Sequence, residues 1–426
     1  MKGYMHSITI EDDLCKGCTH CVRNCPTEAI RVVDGKARIL PIRCIDCGEC
    51  VRVCPYKARG VIFDHISSIP ERDNVVVLIP PVFYLHFDPP PAFATVNKFI
   101  KSLGFNKAYD TSLIFEVYPE LLHLYIDKTG KKKGFIPPVC PSVLRLLTVS
   151  FPNLLSNVTM FDSPWEISAN LVKKKDNNLK VALLTTCPAQ ITSVKFPLGI
   201  DSSRLDFAIP MNHFYHLARR YFEKTPSGDL SEGIIACCGQ WFSEAIHDKD
   251  ILSLCSINRV RDTLHEEEIK RSLSPDILEL WACDYGCAGG ILNALSPIVL
   301  IQHLKRMRKS AKTLISNEWK EEILNDFNNG LFDLNKQITE RPVLKLDEEM
   351  EVSLRKLEQL EHILDTLPGI DCGACGAPTC RAFAEDVVMG WSYITDCIFV
   401  LKDKLKKLAE EVMDLSHLGP SPQRFK

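Results

Sequence analysis

One spacing of cysteines occurs twice near the start of the chain. Cys15-x2-Cys18-x2-Cys21-x3-Cys25-Pro26 recurs as Cys44-x2-Cys47-x2-Cys50-x3-Cys54-Pro55. The full chain has 426 residues and 19 cysteines, and the other eleven are grouped too. Seven are scattered from Cys140 to Cys287, and four lie between Cys372 and Cys397. The opening, MKGYMHSIT, has no apolar signal-peptide core, so a cytoplasmic location is expected, where disulfides are rare. Metal binding is then the default use for so many thiols. Composition excludes other classes. A hydrophobic share of 46% and a charged share of 25% suit a globular chain with a core. A net charge of −3 argues against a broad nucleic-acid footprint. The longest apolar runs, 75–81 and 291–301, fall short of the ~20 residues of a membrane span. No GxGxxG follows a strand pattern, so no nicotinamide or flavin fingerprint is evident.

The repeat resembles the two-cluster bacterial ferredoxins at all eight positions. Three thiolates two residues apart curl a short turn around one face of an Fe4S4 cube, with backbone N–H groups directed at the sulfides. In such runs the fourth cysteine reaches the other cluster. The resemblance therefore assigns Cys15, Cys18, Cys21 and Cys54 to one [4Fe-4S] cube, and Cys44, Cys47, Cys50 and Cys25 to the other. Four-cysteine zinc sites usually come as two CxxC pairs, which this is not. His20, inside the first loop, is read as exposed.

The last group reads Cys372-Gly-Ala-Cys375-Gly-Ala-Pro-Thr-Cys380, then sixteen residues, then Cys397. The intervening stretch has a helical pattern and is expected to return the chain to deliver Cys397. Gly373 and Gly376 permit unusual backbone angles beside a cluster. The segment resembles the small four-cysteine [4Fe-4S] domain of corrinoid iron–sulfur proteins and of ion-pumping ferredoxin oxidoreductases. Structural zinc is the alternative, since thiolate-only sites suit it.

Between residues 75 and 301 short apolar runs alternate with helical stretches, which predicts an α/β domain. Strands are expected at 74–79, 179–185, 205–209, 233–237 and 277–282. Cysteines stand just past several of their C-terminal ends, where ligands bind in open α/β sheets. Three segments then carry a resemblance: Pro137-Pro-Val-Cys140-Pro, Thr185-Thr-Cys187-Pro-Ala-Gln190, and Ala282-Cys283-Asp-Tyr-Gly-Cys287-Ala-Gly-Gly290. Their order resembles the three signature loops of [FeFe]-hydrogenases. Asp110-Thr111-Ser112, Phe151-Pro152 and Ser163-Pro164 agree with it. The resemblance implies that Cys140, Cys187, Cys283 and Cys287 hold another cube. It also makes Cys287 the possible bridge to a two-iron subsite.

The departures bear on activity. Val139 stands where catalytic members carry a proton-relay cysteine. Gln190 replaces a lysine that pairs with a cyanide ligand. Thr185 and Trp281 replace pocket methionines. General acid–base transfer contributes ~10²–10⁴-fold to a rate, so turnover is expected to be weak or absent and no catalytic residue is assigned. The substitutions resemble a divergent sensory or regulatory branch. The expected function is iron–sulfur electron transfer or hydrogen-linked redox sensing, through four [4Fe-4S] clusters. A slow [FeFe]-hydrogenase is the alternative enzyme, and a cluster-assembly factor a lesser one.

The expected organisation has five parts: a ferredoxin domain at 1–68, a hydrogenase-like α/β domain at 69–302, and a helical connector at 303–346. A small α-helical four-cysteine domain at 347–415 and a tail at 416–426 complete it. Leu401, Leu405, Leu408, Val412 and Leu415 recur at spacings of four and three, a helical seam. It could serve a dimer or a signalling partner, or pack on its own domain. A ferredoxin-type protein or a multisubunit oxidoreductase is the expected redox partner. Cys237, Cys238 and Cys255 are read as structural. Glu116 and Glu120 lie near the family's proton-path acids but are read as plain carboxylates. Ser163-Pro-Trp-Glu166 is expected to form a capping box.

Overall fold

A computed structural model describes residues 6–130, 133–223, 227–266, 275–341, 346–347 and 349–417. The chain forms two units that interleave along the sequence. One comprises Met1–Thr9, Cys44–Arg52 and Arg59–Arg341; the other comprises Ile10–Arg43, Val53–Ala58 and Pro342–Lys426.

The larger unit is built on a parallel sheet of four strands, in the order Lys107–Asp110, Val75–Ile79, Lys180–Thr185, Phe207–Pro210. Its central strands are apolar on both faces, as expected for a parallel sheet covered on both sides. Successive residues point to opposite faces. Val76, Leu78, Val181 and Leu183 enter one core, with the helices Ser112–Thr129, Pro141–Ser150 and Pro164–Lys175. Val75, Val77, Ile79, Ala182 and Leu184 enter the other, with Phe93–Ser102, Met211–Phe222 and Pro297–Met307.

The expected strand at 277–282 is present as Ile277–Trp281, but in a separate parallel pair with Ile251–Cys255. The strand expected at 233–237 is a correction: Glu232–Cys238 is a 3-10 helix begun by the Ser231 hydroxyl, which accepts from the Gly233 N–H. Short apolar runs do not separate strand from buried helix. Here tertiary contact decides, because a Cβ on Gly233 would lie 1.9 Å from the Ser112 carbonyl oxygen. The capping box forms by half. Ser163 Oγ accepts from the Glu166 N–H at 3.4 Å. The Glu166 carboxylate accepts instead from Ser203 Oγ and the Arg204 N–H, at 2.5 and 3.0 Å.

Residues 303–341, read as a connector from their polarity, also supply core. Ile323, Phe327 and Phe332 are buried with the helices on the first face. The Arg341 N–H donates to the Thr148 carbonyl at 2.8 Å.

The smaller unit contains the hairpin Ile30–Val33 with Lys36–Ile39 and the helix His20–Arg23. Its C-terminal part packs Leu360, Leu367, Ala382 and Phe383 into a small core. The return to Cys397 is not one helix. Cys380–Val388 ends near Gly390, whose φ of +74° is left-handed, and a 3-10 turn Ile394–Asp396 then presents a buried Cys397. The last helix, Ile398–His417, leaves Leu401, Leu405, Leu408, Val412 and Leu415 exposed at between 41% and 65%. The expected tail from 418 onward lies outside the described residues.

Candidate iron–sulfur sites

Two helix starts position the first pair of loop cysteines, and the one at Cys187 follows the strand Lys180–Thr185. Cys140 and Cys187 each sit at the N-cap of a helix whose first residue is proline, and both are buried. Unpaired N–H groups at such an end favour a thiolate. Backbone donors from Ser142, Val143 and Ala282 pull the Cys140 thiol down, and those from Ala189 and Gln190 do so for Cys187. Burial outweighs them in both cases and pushes Cys187 up to about 11. Cys283 is raised well above the usual thiol range by burial, then by Cys187 and Cys140. These three thiols therefore share one electrostatic site. Cys287 is half-buried in the turn Gly286–Gly289 and packs at the edge of both cores. Buried thiols that repel one another when ionised suit a cationic iron–sulfur core.

Val139, Thr185, Gln190 and Trp281 are committed to internal contacts. Val139 is 3% exposed and apolar. The Thr185 hydroxyl donates to Gln190 Oε1 at 2.5 Å and accepts from the Cys187 N–H at 3.1 Å. Thr185 and Gln190 thus bond each other. Trp281 is 2% exposed and donates from Nε1 to Glu279 Oε1 at 3.0 Å. Val139 offers no proton donor, and the Gln190 amide and the Trp281 indole are held by internal hydrogen bonds.

The second ferredoxin loop belongs to the same unit. Asp46 is almost fully buried. It accepts from the Ser7 N–H at 2.9 Å, and from Thr192 Oγ1 at 2.8 Å on the helix that starts at Cys187. Arg52 Nη2 donates to the Gly289 carbonyl at 3.0 Å, beside Cys287. A Cβ on Gly48 would meet Ile291 at 2.8 Å. Cys44, Cys47 and Cys50 therefore lie on a loop bolted to the elements that carry Cys187 and Cys287. Sequence reading missed His6, whose ring nitrogen, the Cys44 sulfur and an Asp46 carboxylate oxygen all lie within 4.8 Å of one another.

In the smaller unit Cys15, Cys18, Cys21 and Cys54 are all present. Backbone N–H groups of Ala37, Ala29 and Ala58 approach the sulfurs of Cys15, Cys25 and Cys54 at 3.4, 3.1 and 3.3 Å. Such bonds stabilise thiolates. One pocket is lined by all four of Cys372, Cys375, Cys380 and Cys397. No disulfide occurs among the described cysteines.

The remaining features divide plainly. Cys238 and Cys255 line a cleft with Arg259, Asp284 and Tyr285, and burial pushes both thiols up to about 11, so they are neutral. The side chain of Cys237 lies outside the described residues. Glu116 accepts from Ser231 Oγ and from the N–H groups of Leu314 and Ile315, and Glu120 pairs with Lys320. His20 is exposed.

A second pocket adjoins Pro138, Gln190, Trp165 and Asp162. Burial raises the Asp162 carboxyl from 3.8 to about 7, against the pull of Arg204. The unfolded chain ionises Asp162 first, so the wild type should lose stability as pH rises from about 4 to about 7. Asp162→Asn should lack that loss, gaining a few kcal/mol on the wild type across the window at about 1.4 kcal/mol per pH unit. Anaerobic denaturant midpoints at several pH values check this. Parallel pH profiles would refute it.

Comparison with known families finds three matches along the chain. A 4Fe-4S dicluster domain matches residues 7–55. The iron only hydrogenase large subunit, C-terminal domain, matches 73–214, and an Fe-S cluster domain matches 367–399. A curated relative, an uncharacterized protein of Methanocaldococcus jannaschii, is 33% identical over 60 residues, which is 14% of this chain. The chain spans about a quarter of that relative's length, 27%. Among solved structures, an [FeFe]-hydrogenase HydA studied for stepwise H-cluster assembly is 14% identical. The match covers 64% of this chain and 95% of that one, with a TM-score of 0.45. An [FeFe]-hydrogenase HydA1 variant of Chlamydomonas reinhardtii is 13% identical, with 64% and 95% coverage and a TM-score of 0.44.

The chain is a hydrogenase-like iron–sulfur protein that carries [4Fe-4S] clusters, with a ferredoxin-like N-terminal part and a helical Fe-S C-terminal part. No helix among the described residues is long and apolar enough to cross a membrane.

Proposed function

We propose that the protein is an iron–sulfur electron carrier and redox sensor of hydrogen metabolism, with little or no hydrogenase turnover. The observation that carries this reading is the contrast at the loop site. The four cysteines are kept, while Val139, Gln190 and Trp281 are tied into the packing around them. Sixteen cysteines hold four [4Fe-4S] clusters, in the sets Cys15/Cys18/Cys21/Cys54, Cys44/Cys47/Cys50/Cys25, Cys140/Cys187/Cys283/Cys287 and Cys372/Cys375/Cys380/Cys397. A cluster supplies one-electron transfer when bound. The protein's part is to hold each one by thiolates, direct N–H groups at the sulfurs and exclude water. Bonds from Asp46 to Thr192 and from Arg52 to Gly289 keep the second ferredoxin loop against the hydrogenase-like loops, which supports electron passage between them.

The partner is a soluble ferredoxin-type protein or a larger oxidoreductase in the cytoplasm. The exposed seam of the last helix places leucine at one core position of a heptad and leucine or valine at the other, the pattern of a two-stranded coil. Sedimentation that stays monomeric at high concentration would remove a second copy as its occupant.

Retention of Cys287 favours a second reading, a slow [FeFe]-hydrogenase. The test is iron content with infrared spectroscopy on anaerobically matured protein. The proposal expects about sixteen irons per chain and no CO or cyanide bands. Iron near eight would reject four clusters, and CO and cyanide bands would establish the second reading.

A further inference from the structure

The C-terminal four-cysteine segment is bonded into the ferredoxin segment of its own unit at three points, each on or beside a cysteine. Arg23 Nη2 donates to the Cys372 carbonyl at 2.5 Å, and Arg23 lies two residues from both Cys21 and Cys25. The Val32 N–H donates to the carbonyl of Gly376, next to Cys375, at 2.9 Å. Thr379 Oγ1, next to Cys380, donates to Glu28 Oε1 at 3.2 Å.

Two further contacts lock this seam. Arg31 Nε lies 2.5 Å from Asp386 Oδ2, and Arg43 Nη2 lies 2.8 Å from Glu385 Oε2, all four side chains nearly buried. Gly376 has a φ of +88°, and a Cβ there would lie 2.3 Å from the Val32 carbonyl oxygen. A module that swung freely would leave exposed, water-bridged contacts. This one has desolvated charge pairs and a backbone approach that only glycine permits.

We infer that the C-terminal cluster is a fixed relay beside the ferredoxin segment that carries Cys15, Cys18, Cys21 and Cys25, and that Arg31, Arg43 and Gly376 are its positioning residues. The inference rests on the ligand sets proposed above. A single electron leaves one reduced cube and reduces its neighbour, with no bond made or broken. The one-electron partner protein supplies or removes that electron at the chain's end. The C-terminal module is therefore part of the conduction path and not a separate carrier.

The test is pulsed EPR on the reduced, full-length protein. A C-terminal cluster held against the ferredoxin site should relax fast and show dipolar splitting. Gly376→Val, whose side chain enters the space of the Val32 carbonyl, should slow that relaxation by an order of magnitude at unchanged iron. Arg23→Ala removes an exposed side chain, leaves the core intact and should slow it in part. Isolated-cluster relaxation in the fully loaded wild type overturns the inference. So does identical relaxation in all three proteins. Zinc in place of iron at the C-terminal site, seen as about twelve irons per chain, would instead overturn the ligand reading beneath it.

Discussion

Glu279→Ala should destabilise the larger unit by at least about 4 kcal/mol and lower iron at the loop site. Glu279 has no exposed surface. Its Oε1 accepts from the Trp241 N–H at 2.7 Å and from Trp281 Nε1 at 3.0 Å. Its Oε2 accepts from Ser253 Oγ at 2.6 Å and from the Phe242 N–H at 3.2 Å. Burial pushes this carboxyl up and the four donors pull it down. Alanine would leave four buried donors without an acceptor, each costing about 1–3 kcal/mol before relaxation. The strand Ile277–Trp281 leads directly into Cys283, so its loosening reaches the thiol. Glu279→Gln keeps the shape and one acceptor oxygen, and should cost only about 1–3 kcal/mol. Anaerobic denaturant unfolding and iron assay measure both. An alanine variant within about 1 kcal/mol of the wild type would show that the carboxylate is not the keystone of this region.

Arg31→Met should cost about 3–5 kcal/mol, because it leaves Asp386 buried without its counter-charge. The side chains are 7% and 5% exposed. Arg31 Nη1 also donates to the Glu28 carbonyl at 2.8 Å, and that bond is lost as well. Burial already raises the Asp386 carboxyl, with Arg31 opposing it. Removing Arg31 raises it further. A carboxyl whose folded pKa exceeds its unfolded one loses stability as pH rises through the interval between them. The defect of Arg31→Met should therefore be larger at pH 8 than at pH 5. The double variant Arg31→Met with Asp386→Leu should recover most of the loss, since apolar residues commonly replace a buried pair without penalty. Unfolding curves of single and double variants at both pH values decide it. Equal losses in the two would mean the arginine acts through packing alone.

Much of the site was legible because its parts are local. Thiolates two residues apart must sit on one turn, so the spacing from Cys15 to Cys54 and from Cys372 to Cys380 carries its chemistry without any tertiary information. Helix starts are equally local: proline after Cys140, Cys187 and Ser163 begins a helix in each case. Where the reading failed, a distant contact was responsible. The Ser112 carbonyl decides against a strand at 233–237. Ser203 and Arg204 take the Glu166 carboxylate from its capping box. The polar composition of 303–341 hid Ile323, Phe327 and Phe332, three apolar residues whose partners lie more than a hundred residues away.

The sequence by itself determined that this chain is an iron–sulfur protein with a hydrogenase-like middle, because ligand number and spacing are properties of short segments. It also singled out Val139, Gln190 and Trp281. Only the tertiary structure decided what those residues do. Thr185 holds Gln190, Glu279 holds Trp281, and the thiols of Cys140, Cys187 and Cys283 come into one electrostatic site. It alone showed the two ferredoxin loops in different units, one with the hydrogenase-like loops and one with the C-terminal cysteines. The reason is that a buried charge or donor takes its partner from whatever the fold brings alongside. That neighbour is set by packing across the whole chain, which no local spacing encodes.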